Sequence, residues 1–158
     1  MKTPFLRLVS LALCLSGLAG CTSHGTLGGI AATVVAVKPA APSAPETQAV
    51  LTLQFANENV ASVAMDNSTH RLFLNGSYVG KATSDTPTGL REMAPTMQEI
   101  PMKFENPALV RQLANSPGAQ AVNYRLESDM LVVVIEDHIH VISTEQGTLD
   151  LSPLAGMK

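Results

Sequence analysis

The chain has 158 residues, 46% of them hydrophobic and only 4% aromatic, with a formal net charge of −3, two cysteines and no tryptophan. That length suits one domain able to bury a core without disulfide or metal staples. The mild acidity excludes the basic patch that nucleic acid needs, and there is no polybasic run to grip anionic lipid.

The first twenty residues stand apart. Lys2 and Arg7 form a basic start, Leu8 to Leu18 is apolar, and small residues follow, which is the layout of a secretory signal. The run ends in Leu18-Ala19-Gly20-Cys21, which resembles the bacterial lipoprotein signal, or lipobox, in which the cysteine is lipidated and the bond before it is cut. Ordinary cleavage after a small residue, with Cys21 incidental, is the competing reading. A membrane-spanning helix is disfavoured because the apolar run is shorter than the roughly 20 residues a bilayer needs. Cutting before Cys21 removes Lys2, Arg7 and Cys14, leaving 8 basic against 13 acidic side chains, a formal charge of −5. No disulfide is then possible within one mature chain. Thr22 follows the lipidated position, where aspartate would signal inner-membrane retention, so the expected address is the cell envelope, at the outer membrane facing the periplasm. Each methylene of a covalent lipid contributes about 0.8 kcal/mol when buried, so several chains hold firmly. The lipobox implies a bacterium, which makes the glycosylation-like Asn67-Ser68-Thr69 and Asn75-Gly76-Ser77 incidental.

Residues 21–29 are small or polar and read as a lipidated tether, and residues 30–152 as the domain, with 153–158 a tail. Ile30 to Val37 is rich in β-branched residues and predicts a first strand, a membrane-proximal flexible stretch being the alternative. Lys38 to Glu46 holds three prolines and predicts a stiff extended crossing. In Gln48 to Asn57, Leu51, Leu53 and Phe55 alternate with Thr52, Gln54 and Ala56, the mark of a half-buried strand, and Asn57-Glu58-Asn59 turns it. A third strand runs roughly from Ser68 to Leu74. Asn75-Gly76 then predicts a two-residue type I′ hairpin, since both residues tolerate positive φ. The register follows, with Leu74 opposite Ser77, Phe73 opposite Tyr78 and Leu72 opposite Val79, so the aliphatic residues share one face and the two rings stack on the other.

Ser84 to Pro95 reads as a loop. From Met97 to Glu105, Ile100, Met102 and Phe104 point inward, and Pro101 predicts a sheet edge or a bulge. Asn106-Pro107 starts a short helix over Ala108 to Asn115, with Leu109 and Leu113 on its packed side. Ala121 to Glu127 alternates, and Ser128-Asp129 predicts a turn. Met130 to Ile135 reads as a strand covered on both sides, followed by a strand from Ile139 to Ser143, a turn at Gln146-Gly147 and a last short strand. Many short strands and one helix predict an all-β sandwich of immunoglobulin or fibronectin type III-like form.

Several of these features occur in a familiar order: the strand ending at Asn57-Glu58-Asn59, then Leu72-Phe73-Leu74-Asn75-Gly76 with Val79-Gly80, Ile100-Pro101-Met102, Tyr124-Arg125-Leu126 and Gly147-Thr148-Leu149. Together they resemble the late embryogenesis abundant type 2 family, whose bacterial members carry the water-stress and hypersensitive-response (WHy) domain. The resemblance spans roughly Ile30 to Leu151. The family's Asn-Pro-Asn is here Asn57-Glu58-Asn59. The resemblance implies a sandwich of that form, no catalytic centre, and a role in tolerance to desiccation or other stress through protection of other proteins.

The sharpest chemical pattern is Asp137-His138-Ile139-His140, whose period of two puts both imidazoles on one strand face. Two ligands do not close a metal site, so solvent-facing histidines are expected, with a metal role as the alternative. His24 and His70 lack a spaced partner and read as tether and strand-end residues. Met65, Met93, Met97, Met102 and Met130 read as core or loop fillers. No nucleophile elbow appears, and Gly25 to Gly29 lacks the lysine of a phosphate-binding loop. No cofactor, metal, small-molecule substrate or catalytic residue is therefore expected. The expectation is a non-enzymatic lipoprotein anchored through Cys21 that contacts client proteins in the periplasm, the alternatives being an adaptor with one specific partner and, least supported, an enzyme. Asn57, Asn59, Asn75 and Gly76 are the expected structural motif residues.

Overall fold

The computed structural model describes residues 28–41 and 48–156. Eight strands follow in chain order: β1 (Ile30–Pro39), β2 (Gln48–Asn57), β3 (Val63–Leu74), β4 (Ser77–Ser84), β5 (Thr88–Leu90), β6 (Pro95–Phe104), β7 (Val122–Val134) and β8 (Asp137–Leu149), with helix α1 (Pro107–Ala114) between β6 and β7. All pairings are antiparallel, in the order β1-β2-β6-β4-β3-β7-β8, with β5 added beside the start of β3. The sheet curls until β1 lies beside β8, making an all-β sandwich. Its leaves, β1-β2-β6 and β4-β3-β7-β8, face each other across Phe55 and His70, whose ring centroids are 5.7 Å apart.

The alternation read in β2 and β6 becomes the core: Leu51, Leu53, Phe55, Ile100, Met102 and Phe104 are all buried. So are Leu72, Leu74 and Val79 of the β3–β4 hairpin, while Phe73 and Tyr78 stack on the outer face at 5.5 Å. The hairpin turn has φ of 46° at Asn75 and 82° at Gly76, as a type I′ turn requires. Its register holds for two pairs and then slips, because a bulge sets Leu72 opposite Gly80. Gly80 sits so close to β6 that a Cβ there would lie 2.2 Å from the Lys103 carbonyl oxygen. Only glycine fits this corner, where the leaves join through a ladder three pairs long.

Pro101 is not in a bulge, and the edge it marks is a local one within a strand that is interior in the sheet order. It pairs with Val50 in an interior strand, one residue past the end of the β4 ladder, where a missing N–H costs no pairing to β4. Ser128-Asp129 is not a turn either: β7 and β8 are each thirteen residues long and run straight through Ser128 and Gln146-Gly147. β7 is buried on one face only, through Leu126, Ser128, Met130 and Val132, so Met130 to Ile135 is not covered on both sides. The third strand begins five residues earlier than read, at Val63, and the Ser84–Pro95 segment contains β5.

Asn106 caps α1 by accepting from the Leu109 N–H at 3.3 Å, with Pro107 at the first helical position. Leu109 and Leu113 are partly buried against the core as expected, and Val110 and Ala114 beside them are the fully buried pair. At the C-terminal end Leu154, beyond residue 152, packs into the core.

Candidate functional site

The N-terminal end of β1, the end of β2, the starts of β3 and β6 and the tip of the β7–β8 hairpin all lie at one end of the sandwich. Asn57 organises this end. It is buried, and its Nδ2 donates to the carbonyls of Ala61 at 2.9 Å and Leu90 at 3.1 Å. Its Oδ1 accepts from the backbone N–H of Asn59 at 3.0 Å and from Asn59 Nδ2 at 2.9 Å. One amide side chain thereby ties together β2, the loop into β3 and the end of β5. The Asn57 carbonyl accepts from Met93 N–H at 2.9 Å, and Glu58 N–H donates to the Gly29 carbonyl at 2.7 Å, which fixes the entry of the chain. Asn57 and Asn59 thus meet in one network, while Asn75 and Gly76 form the turn at the opposite end. Cys21 and the residues 1–20 lie outside the described residues.

His70, expected at a strand end, is instead wholly buried in the middle of β3. Its Nδ1 is 2.8 Å from the Ser128 hydroxyl, and Ser128 in turn faces Ser143 across β7 and β8. Nε2 finds no partner among the described residues. The tautomer that leaves the fewest orphaned donors has Nδ1–H donating to Ser128 and a bare lone pair at Nε2. Burial lowers the His70 pKa from 6.5 to about 4. A serine beside a histidine suggests nucleophilic chemistry, but Ser128 is buried too, and an imidazole titrating near 4 is a weak base at neutral pH. The signal for this placement was present in the sequence, since His70 shares strand parity with Leu72 and Leu74.

The outer face of the β4-β3-β7-β8 leaf is polar and aromatic. The Arg125 guanidinium lies 3.8 Å from the Phe73 ring centroid and pairs with Glu127, and Arg71 stands 3.9 Å from the same carboxylate. Tyr78 donates to Glu105 at 2.7 Å; burial and then this bond hold its phenol above the ordinary value. Beside them a shallow groove of about 350 Å³ is lined by Thr69, Arg71, Glu127, Ser128, Asp129, Ile142 and Thr144. His138 and His140 share the outer face of β8 as read, but each turns to its own carboxylate, Asp66 at 3.3 Å and Asp129 at 2.9 Å. Among the described residues no three histidine, cysteine or carboxylate side chains gather as a metal site would need.

Of the five methionines singled out, Met65, Met102 and Met130 are core, whereas Met93 and Met97 are exposed. Val60, Met93 and Ile135 are left open at the Asn57 end; the sequence reading takes Met93 for a core or loop filler and assigns Val60 and Ile135 no exposed role. Neighbouring apolar residues and turn positions could have pointed to them, but periodicity assigns no outward role to a loop residue.

No family model matches the chain, and no curated protein matches it. Among solved structures, AT1g01470 of Arabidopsis thaliana, determined in solution, has a TM-score of 0.55 at 14% identity, over 79% of this chain and 82% of that one. A crystal structure of a protein from Archaeoglobus fulgidus has a TM-score of 0.44 at 12% identity, over 73% of this chain and 95% of that one. The strand pairing, together with the likeness to the Arabidopsis structure, defines the class as the antiparallel all-β sandwich. At such identity the likeness to the Arabidopsis structure concerns the fold alone.

Proposed function

We propose that the protein is an envelope lipoprotein, acylated at Cys21, whose sandwich protects other proteins against desiccation or related stress through non-catalytic surface contacts. The observation that carries this reading is the lipobox-like Leu18-Ala19-Gly20-Cys21, followed nine residues later by a self-contained sandwich beginning at Ile30. The order of motifs resembling the late embryogenesis abundant type 2 family supports the protective role. The burial of the His70–Ser128 pair, among the described residues, accords with a non-catalytic role. The protein sits at the outer membrane facing the periplasm and needs no cofactor. Drying a labile client enzyme with and without the purified protein tests the role: retained client activity is expected, and equal losses in both samples contradict it.

The groove beside Ile142 favours a second reading, an adaptor that docks one periplasmic partner. Ile142 is 77% exposed next to Arg71, Glu127 and Asp129, an apolar contact ringed by charges. Crosslinking through Ile142→Cys separates the two readings, since an adaptor gives one dominant product and a broad protector gives many.

A further inference from the structure

Three large apolar side chains stand in solvent at the Asn57 end: Val60 at 91% exposure, Met93 at 75% and Ile135 at 96%. They lie on three separate connections, β2 to β3, β5 to β6 and β7 to β8. Hydrogen bonds and register hold these connections together. Met93 N–H bonds the Asn57 carbonyl, Glu92 N–H bonds the Ser62 hydroxyl at 3.2 Å, and Ala64 pairs with Val133 two residues before Ile135.

Two of the three tips are held against local preference. Met93 has φ of 48° and Ile135 has φ of 61°, and the only other non-glycine residue with positive φ among the described residues is the turn asparagine Asn75. Ile135-Glu136 is a two-residue hairpin loop whose first position alone has positive φ, a place where glycine is the favoured residue and a β-branched one is strained. Strain of this kind persists only where the surrounding structure over-determines it, and it gathers at places with a function. Neither side chain covers the core, so packing does not account for it.

The chain enters the sandwich at this same end, through Gly29 and its bond to Glu58. Gly29 follows Cys21 by eight positions, a reach of roughly 28 Å at full extension. We infer that Val60, Met93 and Ile135 are apolar tips that seat this end of the sandwich in the interfacial layer of the membrane carrying the Cys21 lipid, which fixes the module end-on. This rests on the lipid anchor proposed above. Three knobs on separate turns suit penetration between headgroups, where Ile, Val and Met bury apolar surface without a shaped counterpart. Glu58, Glu92, Glu136 and Asp137 surround the tips and Arg91 is the lone cation among these exposed neighbours. The surface so defined matches zwitterionic headgroups and is repelled by anionic ones.

The test uses the acylated mature chain reconstituted in phosphatidylcholine–phosphatidylethanolamine vesicles. A fluorophore is placed on Glu136→Cys beside Ile135, or on Ser77→Cys at the opposite turn. Nitroxide-labelled lipid should quench the label at 136 several-fold more than the label at 77, with the difference shrinking when phosphatidylglycerol is added at low salt. The double variant Met93→Gly, Ile135→Gly should lose most of that difference while unfolding at the same or higher denaturant concentration, because glycine relieves both strained positions. Equal quenching at 136 and 77 on an acylated chain overturns the orientation and leaves the anchor standing. A mature chain whose mass lacks acyl groups overturns the anchor itself, and the orientation with it.

Discussion

The two ends of the sandwich handle their turns in opposite ways. At the far end, Asn75-Gly76 places residues that accept positive φ where the hairpin demands it, and the turn costs little. At the entry end, Ile135 occupies the corresponding loop position with φ of 61°, and Met93 is similarly bent. The buried Asn57 amide, with four hydrogen bonds, fixes the strand end whose carbonyl holds Met93 N–H, and Ile135 is closed in by the β7–β8 pair Val134–Asp137. The far end follows local sequence preference, whereas at the entry end a tertiary hydrogen bond at Met93 and the β7–β8 ladder around Ile135 override it. Among the described residues the two strained positions other than Asn75 lie at the end that also carries the exposed apolar tips, which is where local and tertiary preferences disagree.

The contrast can be broken most sharply at Asn57. Asn57→Ala strands the Ala61 and Leu90 carbonyls and the Asn59 N–H, so it should cost about 3 kcal/mol in urea unfolding. Asn75→Ala removes only a residue suited to positive φ and should cost about 1 kcal/mol. Similar losses from the two substitutions would erase the distinction between the ends.

Between the ends, the buried His70 makes stability depend on pH. Its folded pKa of about 4 lies below the 6.5 of the unfolded chain, so between these values the unfolded state binds more protons. Stability is therefore full above about pH 6.5 and falls as pH drops toward 4, by roughly 3 kcal/mol in total. Urea midpoints measured from pH 7.5 to 4.5 should show this slope, and His70→Leu should flatten the part of it that comes from the imidazole. An unchanged slope in the variant would place the pH dependence elsewhere.

A loss as small as that at Asn75 is expected at the seam where β1 meets β8. The pairing of β1 with β2 slips between Val34 and Ala36, and the Val34 N–H donates to the Tyr124 hydroxyl at 3.2 Å. Gly147 makes room for the ring, since a Cβ there would lie 2.9 Å from Tyr124 Cε1. Tyr124→Phe should cost about 1 kcal/mol and speed amide exchange at Val34, without the pH dependence seen at His70.

The sequence made the strands legible wherever alternation was uninterrupted. Leu51, Leu53 and Phe55, and Ile100, Met102 and Phe104, declare their inward face, and the Asn75-Gly76 turn sets the hairpin register near it. Three features concealed the rest. Ser128 looked like a turn residue because its hydroxyl suits turns, yet inside β7 it partners His70 across the sheet, a contact 58 residues away in sequence. Pro101 suggested an edge because the pairing limits of β4 depend on the leaf corner at Gly80. Ile135 attracted no notice as a turn residue because its local preference opposes the conformation it adopts. Asn57 was singled out as a motif residue, but its hydrogen bonds to Ala61 and Leu90 became visible only with β5 in place.

The most direct test of the whole account is the intact mass of the mature chain isolated from bacterial membranes, with its N-terminal residue identified. The account predicts a chain that begins at Cys21 and carries thioether- and amide-linked acyl groups there. A chain that begins elsewhere, or a bare Cys21 thiol on a freely soluble protein, would contradict it.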